Sequence, residues 1–318
     1  MQSKTANEKI QVIYSAVFKV LVICLVLSIT PGTSRVSAQQ LPVNPDNNDP
    51  QRTEPIEPFR IIDNIYFVGP TIHATSYLFT SPDGHILVDA TYEKFVPTII
   101  KNIEKLGFKA EDIKVLLSTE AHPDHVDGLT AMKEITGATI MATAPDAVVI
   151  ESGGKEDFRD REGDPYPWTP AKIDRIIEDG EKISVGDTVL TVHLTAGHTK
   201  GCTTFTTVAE EGGQNYDVVV LCAVLVNPNM PLVGHPKYAN MPEDFAYTYA
   251  RLKILPVEVF LGPHGWIFGL QEKLERMKQG SKVNPFIDPE GFYNYILGVE
   301  KQYLDTLKTE LGWGATQQ

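Results

Sequence analysis

The feature that most constrains this chain is a cluster of metal-capable side chains, in which Glu120, His122, Asp124 and His125 fall within six residues. The cluster follows directly on the apolar residues 113–117, which predict a buried strand because they are short, rich in branched side chains and followed by turn residues. A loop leaving a strand end can direct several neighbouring side chains to one place. Because two imidazoles and two carboxylates are costly to bury unless they are paired or bind a metal, the cluster predicts a metal site.

Two histidines farther along the chain occupy similar positions, each in a turn beside a predicted strand. His198 lies in the segment Ala-Gly-His-Thr-Lys-Gly, and His264 lies in Leu-Gly-Pro-His-Gly. Imidazole nitrogens and carboxylate oxygens are suitable zinc ligands, so these positions extend the predicted site to three strand ends. The remaining histidines lie within predicted strands or in loops that could line a pocket mouth: His73, His85, His193 and His235.

The first 38 residues have the features of an export signal. Basic residues precede an apolar run at 20–29 that is too short to span a bilayer, and Val-Ser-Ala at 36–38 fits the small-x-small pattern of a cleavage site. We expect cleavage before Gln39 and therefore a periplasmic or secreted protein. An uncleaved anchor is the alternative.

The charge of the chain limits its partners. The 318 residues carry a net charge of −13, and loss of the signal, with its four basic residues against one Glu, lowers it to −16. Such acidity argues against binding to nucleic acid or to an anionic membrane. We therefore expect no nucleic-acid partner and no membrane association once the signal is cleaved. We also expect the chain to be a monomer.

The periodicity of the chain predicts two similar halves. Residues 39–57 are polar and aperiodic and predict a flexible, disordered lead-in. From residue 58 to residue 318, the order β-meander, α/β, β-meander, α/β predicts one α/β domain with two sheets face to face and helices outside, an αββα sandwich. The aperiodic segment 151–171 predicts a long loop, which is either a lid or merely exposed.

Two cysteines, Cys202 and Cys222, remain after Cys24 leaves with the signal. They are too few to form a disulfide framework for a domain of this size, so the core must supply the stability. A hairpin turning near Gly212-Gly213 places Cys202 almost opposite Cys222. A disulfide and two buried free thiols both remain open at this stage.

Three spaced motifs resemble those of the metallo-β-lactamase superfamily: Glu-x-His-x-Asp-His-x-x-Gly at 120–128, Gly-His-Thr-x-Gly-Cys at 197–202 and Gly-Pro-His at 262–264. Shorter segments resemble the subclass B3 β-lactamases, namely residues 59–61, 68–69, 86–89, 106–108, 136–138, 151–154 and 284–288. The resemblance extends over residues 57–310 and implies the αββα fold of that superfamily.

The resemblance also implies two zinc ions and a reaction. It gives each zinc three ligands of this chain, with Glu120, His122 and His198 on the first and Asp124, His125 and His264 on the second. Zinc lowers the pKa of a bound water toward neutrality. The implied reaction is attack of the metal-bound hydroxide on a β-lactam carbonyl, which opens the ring of the antibiotic.

Further roles follow from the same resemblance. Asp124 is expected to be catalytic as well as a ligand, and Asp89 is expected to support the ligand loop. Four residues are expected in the substrate pocket: Cys222, Val224, Val226 and Trp168.

The sequence departs from the family pattern at two places. Glu120 stands where the superfamily usually has a histidine, and its charge is expected to reduce Lewis acidity at the first zinc and to raise the pKa of the water, or to leave that zinc weakly held. Residues 222–226 lack the serines that help to hold the substrate carboxylate in subclass B3 enzymes, which puts substrate anchoring in question.

Three alternatives follow from these departures. A lactone, thioester or phosphodiester hydrolase of the superfamily commonly carries a metal-bridging Asp where this chain has Cys222 and Ala223. A β-lactamase with a cysteine ligand would use Cys222, but such enzymes lack the ligand that His125 provides. An exported metal-binding protein with little turnover is the outcome if Glu120 abolishes activity.

Overall fold

The computed structural model describes residues 41–159, 168–228 and 230–312. The predicted export signal at 1–38 and the central part of the predicted loop at 151–171 lie outside these ranges. The predicted fold class is confirmed, because the described chain forms two sheets with helices packed against them. No helix in the described ranges has both the length and the apolar character needed to cross a bilayer.

The first sheet contains seven strands in chain order: β1 (Phe59–Ile62), β2 (Ile65–Phe67), β3 (Tyr77–Ser81), β4 (Gly84–Val88), β5 (Ile113–Leu117), β6 (Thr139–Thr143) and β7 (Arg175–Ile177). The first four strands form an antiparallel meander, and β4 to β7 are parallel. The described residues of this half form five α-helices: α1 (Pro50–Thr53), α2 (Val96–Lys105), α3 (Pro123–Val126), α4 (Leu129–Thr136) and α5 (Ala144–Glu151). Two short 3-10 helices lie at Glu93–Phe95 and Ala110–Asp112.

The second sheet contains five strands: β8 (Lys182–Val185), β9 (Thr188–Leu194), β10 (Thr203–Glu211), β11 (Gln214–Val220) and β12 (Val259–Leu261). Gly212 and Gly213, with φ of 63° and 79°, close the two-residue hairpin between β10 and β11, which requires left-handed backbone at both positions. The described residues of this half also form three α-helices: α6 (Met241–Leu252), between β11 and β12, and α7 (Leu270–Lys278) and α8 (Pro289–Glu310), after β12.

Alternation along β4 and β5 divides their side chains between two cores. Val88 and Leu117 belong to the core that both sheets share, whereas Leu87 and Leu116 pack with residues of α2 and α4. Successive side chains of a strand point to opposite faces, so both strands are buried on both sides. Polar side chains that follow these strands therefore emerge together at the edge of the sheet.

Several elements of the first half were not predicted from the sequence, among them the short helices α1 and α3, helix α5 and strand β7. Helix α5 contains the consecutive apolar residues Val148, Val149 and Ile150, which give no helical periodicity, and β7 has only three residues. The N-terminal segment, for which the composition predicts a flexible lead-in, contains a short helix and is hydrogen-bonded to the rest of the domain. Residues 50–53 form α1, and the backbone N–H of His73 donates to the carbonyl of Gln51 at 2.7 Å.

Candidate metal centre

Four segments that leave strands meet at one edge of the sheets. Asp89 follows β4, residues 118–128 follow β5, His198 lies between β9 and β10, and His264 follows β12. The first two segments are tied together, because the backbone N–H groups of Ala90 and Thr91 donate to the carbonyl of His125 at 3.1 and 3.2 Å.

Glu120 lies at the centre of this cluster and is 1% exposed. Its Oε1 is 3.1 Å from Nδ1 of His122 and 3.4 Å from Nε2 of both His125 and His198. Its Oε2 accepts a hydrogen bond from the backbone N–H of Ala223 at 2.9 Å. One oxygen of the carboxylate is therefore anchored, and the other faces three imidazoles.

Asp124 faces the other side of the cluster. Its Oδ2 is 3.7 Å from Nε2 of His125 and 3.7 Å from Nε2 of His264. His125 therefore lies between the two carboxylates. The structure brings the six predicted ligands together, although His125 is nearer to Glu120 than a strict division into two sets suggests.

Three of the imidazoles are oriented by a hydrogen bond on the far side of the ring. Nδ1 of His125 lies 3.0 Å from Oδ2 of Asp89, Nδ1 of His198 lies 2.8 Å from the carbonyl of Leu225, and Nδ1 of His264 lies 3.0 Å from the carbonyl of His73. Such acceptors fix the tautomer with the proton on Nδ1. Nε2 of each ring is consequently left to face the cluster.

Asp89 is buried and has an unusual backbone, with a φ of 66°. Its carboxylate accepts hydrogen bonds from the backbone N–H and the hydroxyl of Thr119, at 2.7 and 2.8 Å, in addition to its contact with His125. Asp tolerates the left-handed region better than most residues. The position expected for Asp89, behind the ligand loop, matches where the structure has it.

The donor set suits a metal ion. Two ligands about 2.1 Å from one tetrahedral ion are separated by about 3.4 Å, which is close to the spacings around Oε1 of Glu120. Nε2 of His125 is buried without a hydrogen-bond partner in the described structure, as is Nε2 of His122. Buried polar atoms rarely remain unpaired, so the nitrogen of His125 between two carboxylates fits a ligand role.

The charges of the cluster shift its pKa values. Burial alone would raise the pKa of Glu120, but His198 and His125 outweigh it and hold that pKa well below its usual range. Burial would lower the pKa of His125, but Asp124 and Asp89 outweigh it and raise that pKa to about 10. Without a metal, an imidazolium thus offsets the buried carboxylates. A cation that bound there would take over this role.

His122 behaves differently from His125. Its burial, followed by the positive charge of Arg159, lowers the pKa of His122 to about 3, so this imidazole is neutral near pH 7. A neutral imidazole is the form that binds a metal.

Asp146, at the start of α5, was not predicted as a site residue. Its carboxylate is buried and accepts hydrogen bonds from the backbone N–H of Ala121 and Gly201, both at 2.9 Å, and from the hydroxyl of Thr199 at 3.0 Å. Burial raises the pKa of Asp146 to about 7 against the effect of these hydrogen bonds. One carboxyl group therefore joins the loop of His122 to the loop of His198.

Cys202 and Cys222 form a disulfide behind Glu120, with their Cα atoms 5.9 Å apart. Of the two states that the sequence left open, the structure has the bridge and not the free thiols. Both residues are fully buried, and Sγ of Cys222 lies 3.2 Å from Oε2 of Glu120. The disulfide thus packs against the anchored oxygen of the central carboxylate.

A cavity of about 410 Å³ opens beside the cluster and is bounded by five of the predicted ligands: Glu120, His122, Asp124, His198 and His264. Its wall also includes Ala223, Leu225 and Asn227, every second residue of the segment after β11. The rest of the wall, which the sequence did not predict, consists of Asn44 from the N-terminal segment, Tyr92, Pro123, Arg159, Pro228 and Trp266.

The prediction of the substrate pocket was wrong in detail. Val224 points into the core between the sheets, Val226 packs against that core, and Cys222 is in the disulfide. Trp168 is 4% exposed and belongs to the core beneath α2 and α4, where its ring lies over Gly154. An aromatic residue in an aperiodic loop is filling the core here, while Arg159 in the same loop reaches the cavity.

Comparisons with known proteins agree with this geometry. The family model of the metallo-beta-lactamase superfamily matches residues 69–210. The native FEZ-1 metallo-beta-lactamase from Legionella gormanii is 39% identical, with a TM-score of 0.79 over 81% of this chain and 97% of that chain. BJP-1, a subclass B3 metallo-beta-lactamase of Bradyrhizobium japonicum, is 35% identical, with a TM-score of 0.76 over 82% of this chain and 97% of that one.

A curated relative is named as a different enzyme from the two β-lactamases. The hydroxyacylglutathione hydrolase of Chelativorans sp. (strain BNC1) is 32% identical over 119 residues, which are 37% of this chain and 36% of that protein. The chain thus matches only about a third of the length of that relative, whereas it matches nearly all of the two β-lactamases. The buried Glu, Asp and His cluster at the strand ends and the similarity along the whole domain lead to one conclusion: this chain belongs to the metallo-β-lactamase superfamily and is similar to its subclass B3 members.

Proposed function

We propose that this protein is an exported, zinc-dependent β-lactamase. The observation that carries the proposal is the cluster of six ligand side chains beside an open cavity, in a chain that is 39% identical to FEZ-1 over most of both sequences. Oxygen and nitrogen donors of this kind are typical of hydrolytic zinc sites.

The residues that would hold zinc are those around the two carboxylates. We assign Glu120, His122 and His198 to one ion and Asp124, His125 and His264 to the other. Zinc bound there would supply Lewis acidity toward the β-lactam carbonyl and would lower the pKa of water.

Asp124 is the residue of this set with a direct part in proton transfer. Its side chain is 20% exposed and lines the cavity, and the neighbouring imidazoles hold its pKa below the usual range although burial opposes them. Because Oδ2 of Asp124 faces His125 and His264 and would hold the ion, Oδ1 accepts a hydrogen bond from the attacking water and orients it. The same oxygen then relays the proton toward the ring nitrogen that leaves when the amide opens.

A hydroxyacylglutathione thioester is the second candidate substrate, because of the curated relative. Ala223, the residue at the relevant position after β11, argues against a thioester substrate. In the related hydrolases an Asp commonly bridges two metals there, whereas Ala223 offers a methyl group and its backbone N–H is donated to Glu120. We therefore place the thioester second to the β-lactam.

The test measures turnover and metal content on the mature protein that starts at residue 39. We expect hydrolysis of a penicillin, a cephalosporin or a carbapenem that a chelator abolishes and zinc restores. His264→Ala should lose metal and activity together, and His193→Gln, a histidine outside the cluster, is the matched control. Cleavage of a hydroxyacylglutathione thioester with no turnover of any β-lactam would contradict the proposal.

Export is tested separately from catalysis. We expect the purified protein from the periplasm or medium of an expressing bacterium to begin at Gln39, as N-terminal sequencing would show. Retention of residues 1–38 in a membrane fraction would favour the anchored alternative.

A further inference from the structure

The cavity beside the cluster of candidate ligands is lined by side chains of both charges. Glu120 and Asp124 are its carboxylates, and Arg159 is the only Lys or Arg side chain among the described residues of its wall. In a chain with a net charge of −13, a fixed cation at this place needs a reason beyond surface composition.

Arg159 is held in place by a buried carboxylate. Nε and Nη2 of Arg159 donate to Oδ2 of Asp157 at 3.0 and 2.8 Å, and the backbone N–H of Arg159 donates to Oδ1 at 3.0 Å. Asp157 is 4% exposed, and the side chain of Arg159 is 17% exposed. The guanidinium is thus anchored along one edge instead of moving freely in solvent.

The rest of the guanidinium is left for a ligand. A guanidinium has five N–H donors, and the contact with Asp157 uses two of them, on Nε and Nη2. Within the described ranges the remaining donors have no protein acceptor, although the group lines the cavity. An arginine with a fixed inner edge and an open outer edge is suited to bidentate binding of a carboxylate.

The segment after β11 does not offer a competing anchor. Ala223 and Leu225 present apolar side chains to the cavity, and Nδ2 of Asn227 donates to the carbonyl of His198 at 3.0 Å. The hydroxyl groups that the family resemblance would place on this segment are absent from it. The anion-binding function must then be supplied from another part of the wall.

We propose that Arg159 binds the carboxylate of the substrate through its open edge, and that Asp157 is the positioning residue that aims it. This inference rests on the proposed function, because penicillins, cephalosporins and carbapenems all carry a carboxylate next to the ring nitrogen. Arg159 would orient the β-lactam so that its carbonyl faces the metal cluster.

The kinetic test compares a β-lactam acid with its methyl ester. In Arg159→Gln we expect KM for the acid to rise about 10- to 100-fold with kcat little changed, the loss expected for a charged hydrogen bond made in both ground and transition states. KM for the ester should not change. Arg159→Lys should recover part of the loss, because it keeps the charge but not the paired donors.

Two controls separate this role from folding. Arg60→Gln removes an equal charge from an exposed ion pair with Glu211, outside the cavity wall, and should behave as the parent does. Because Arg159→Gln removes the ion pair between Arg159 and the buried carboxylate of Asp157, the double variant Asp157→Asn/Arg159→Gln removes both charges and should show the same KM change in a folded protein. Equal losses on acid and ester in these variants would overturn the proposal.

A binding measurement keeps the inference testable if no β-lactam is hydrolysed. A mercaptoacyl-proline and its methyl ester share a thiol and differ only in the carboxylate, so titration calorimetry on the zinc-loaded protein isolates the carboxylate contact. The parent should prefer the acid about 10-fold or more, and Arg159→Gln should lose the preference. An unchanged preference in Arg159→Gln would overturn the assignment whether or not the proposed function holds. A KM change in Arg159→Gln that is confined to a hydroxyacylglutathione thioester would show that Arg159 binds that substrate. This result would also overturn the assignment of Arg159 to the β-lactam carboxylate.

Discussion

His73 contacts His264 in two ways at once. The rings are stacked, with centroids 4.3 Å apart and planes 12° from parallel, and the carbonyl of His73 accepts the hydrogen bond from Nδ1 of His264. Arg52 in turn lies 2.8 Å from Nε2 of His73, and it also donates to Oδ1 of Asn44 at 2.6 Å. The N-terminal segment thus supports the ring of a predicted ligand from behind.

This stacking predicts a selective effect of His73 variants on the metal. His73→Ala keeps the carbonyl but removes the ring, so we expect affinity for the ion at His264 to fall about 10-fold, the lower end of what partners of ligands contribute. His73→Phe keeps a flat ring and serves as the matched control. Competition with a chromophoric chelator measures the affinity, and equal affinities for the parent and His73→Ala would contradict the prediction.

Glu120→Gln tests the central carboxylate. An amide has one oxygen, so Gln either accepts from Ala223 and turns its NH₂ group toward the imidazoles, or faces them with oxygen and leaves the N–H of Ala223 unpaired. We expect loss of the ion at this position or a destabilisation of about 1–3 kcal/mol.

Elemental analysis after dialysis and urea unfolding check the two outcomes for Glu120→Gln. Glu300→Gln, which alters a peripheral carboxylate paired with Lys253, is the control. Full metal content with parental stability in Glu120→Gln would show that the charge of Glu120 is not needed.

The disulfide predicts that thiol titration of the denatured mature protein finds no free group. Its sequence separation of 20 residues corresponds to about 3 kcal/mol of stabilisation through restriction of the unfolded chain. The double variant Cys202→Ala/Cys222→Ala should lose about that much free energy of unfolding in urea. Two reactive thiols in the parent would instead agree with the alternative of free cysteines.

Asp146 predicts a pH dependence of stability. Its pKa is raised to about 7 in the folded chain from 3.8, so the folded state binds the proton more tightly than the unfolded state does. The contribution of this group to the free energy of unfolding therefore decreases as pH rises from about 4 to about 7. The stability of Asp146→Asn should lack this pH dependence, because an amide does not titrate. The amide has only one oxygen, so one of the N–H groups of Ala121 and Gly201 also loses its acceptor.

Urea unfolding of the metal-free parent and of Asp146→Asn at several pH values measures the difference. The gap in stability between them should be largest near pH 4 and should narrow toward pH 7. A gap that widens over this range would show that the carboxylate is stabilised by its donors more than burial penalises it.

The six candidate ligands could be predicted because each follows a strand whose apolar pattern is visible. His122, His198 and His264 lie in short turns, and the polarity of those turns contrasts with the strands before them. Asp146 and Arg159 show no such pattern and could not be predicted in this way. The hydrogen-bond partners of Asp146 are 25 or more residues away in the sequence. Arg159 lies in an aperiodic segment, and the sequence does not reveal that its side chain points to the cavity.

The error in the pocket has a simple geometric cause. The sequence analysis predicts residues 222, 224 and 226 in the pocket, whereas residues 223, 225 and 227 face the cavity in the structure. Successive side chains of an extended segment point to opposite sides. An error of one residue therefore assigns core residues to the cavity wall, and wall residues to the core, along the whole segment. Nothing in the composition of Val224 or Leu225 reveals which of the two faces the cavity.

The hydrogen bonds of Asp146 have a consequence for how the protein is assembled. Four ligands come from the segment between β5 and α4, and two come from segments beside β9 and β12, so neither half of the sequence contains a complete site. The carboxyl group of Asp146 accepts hydrogen bonds from the loop of His122 and from the loop of His198, and so helps to set the spacing between these two histidines. Any ion that bridges the two groups of ligands stabilises the docked halves by its own binding free energy. Removal of such an ion would therefore lower the stability of the two docked halves, although each keeps its own strands and both share the central core.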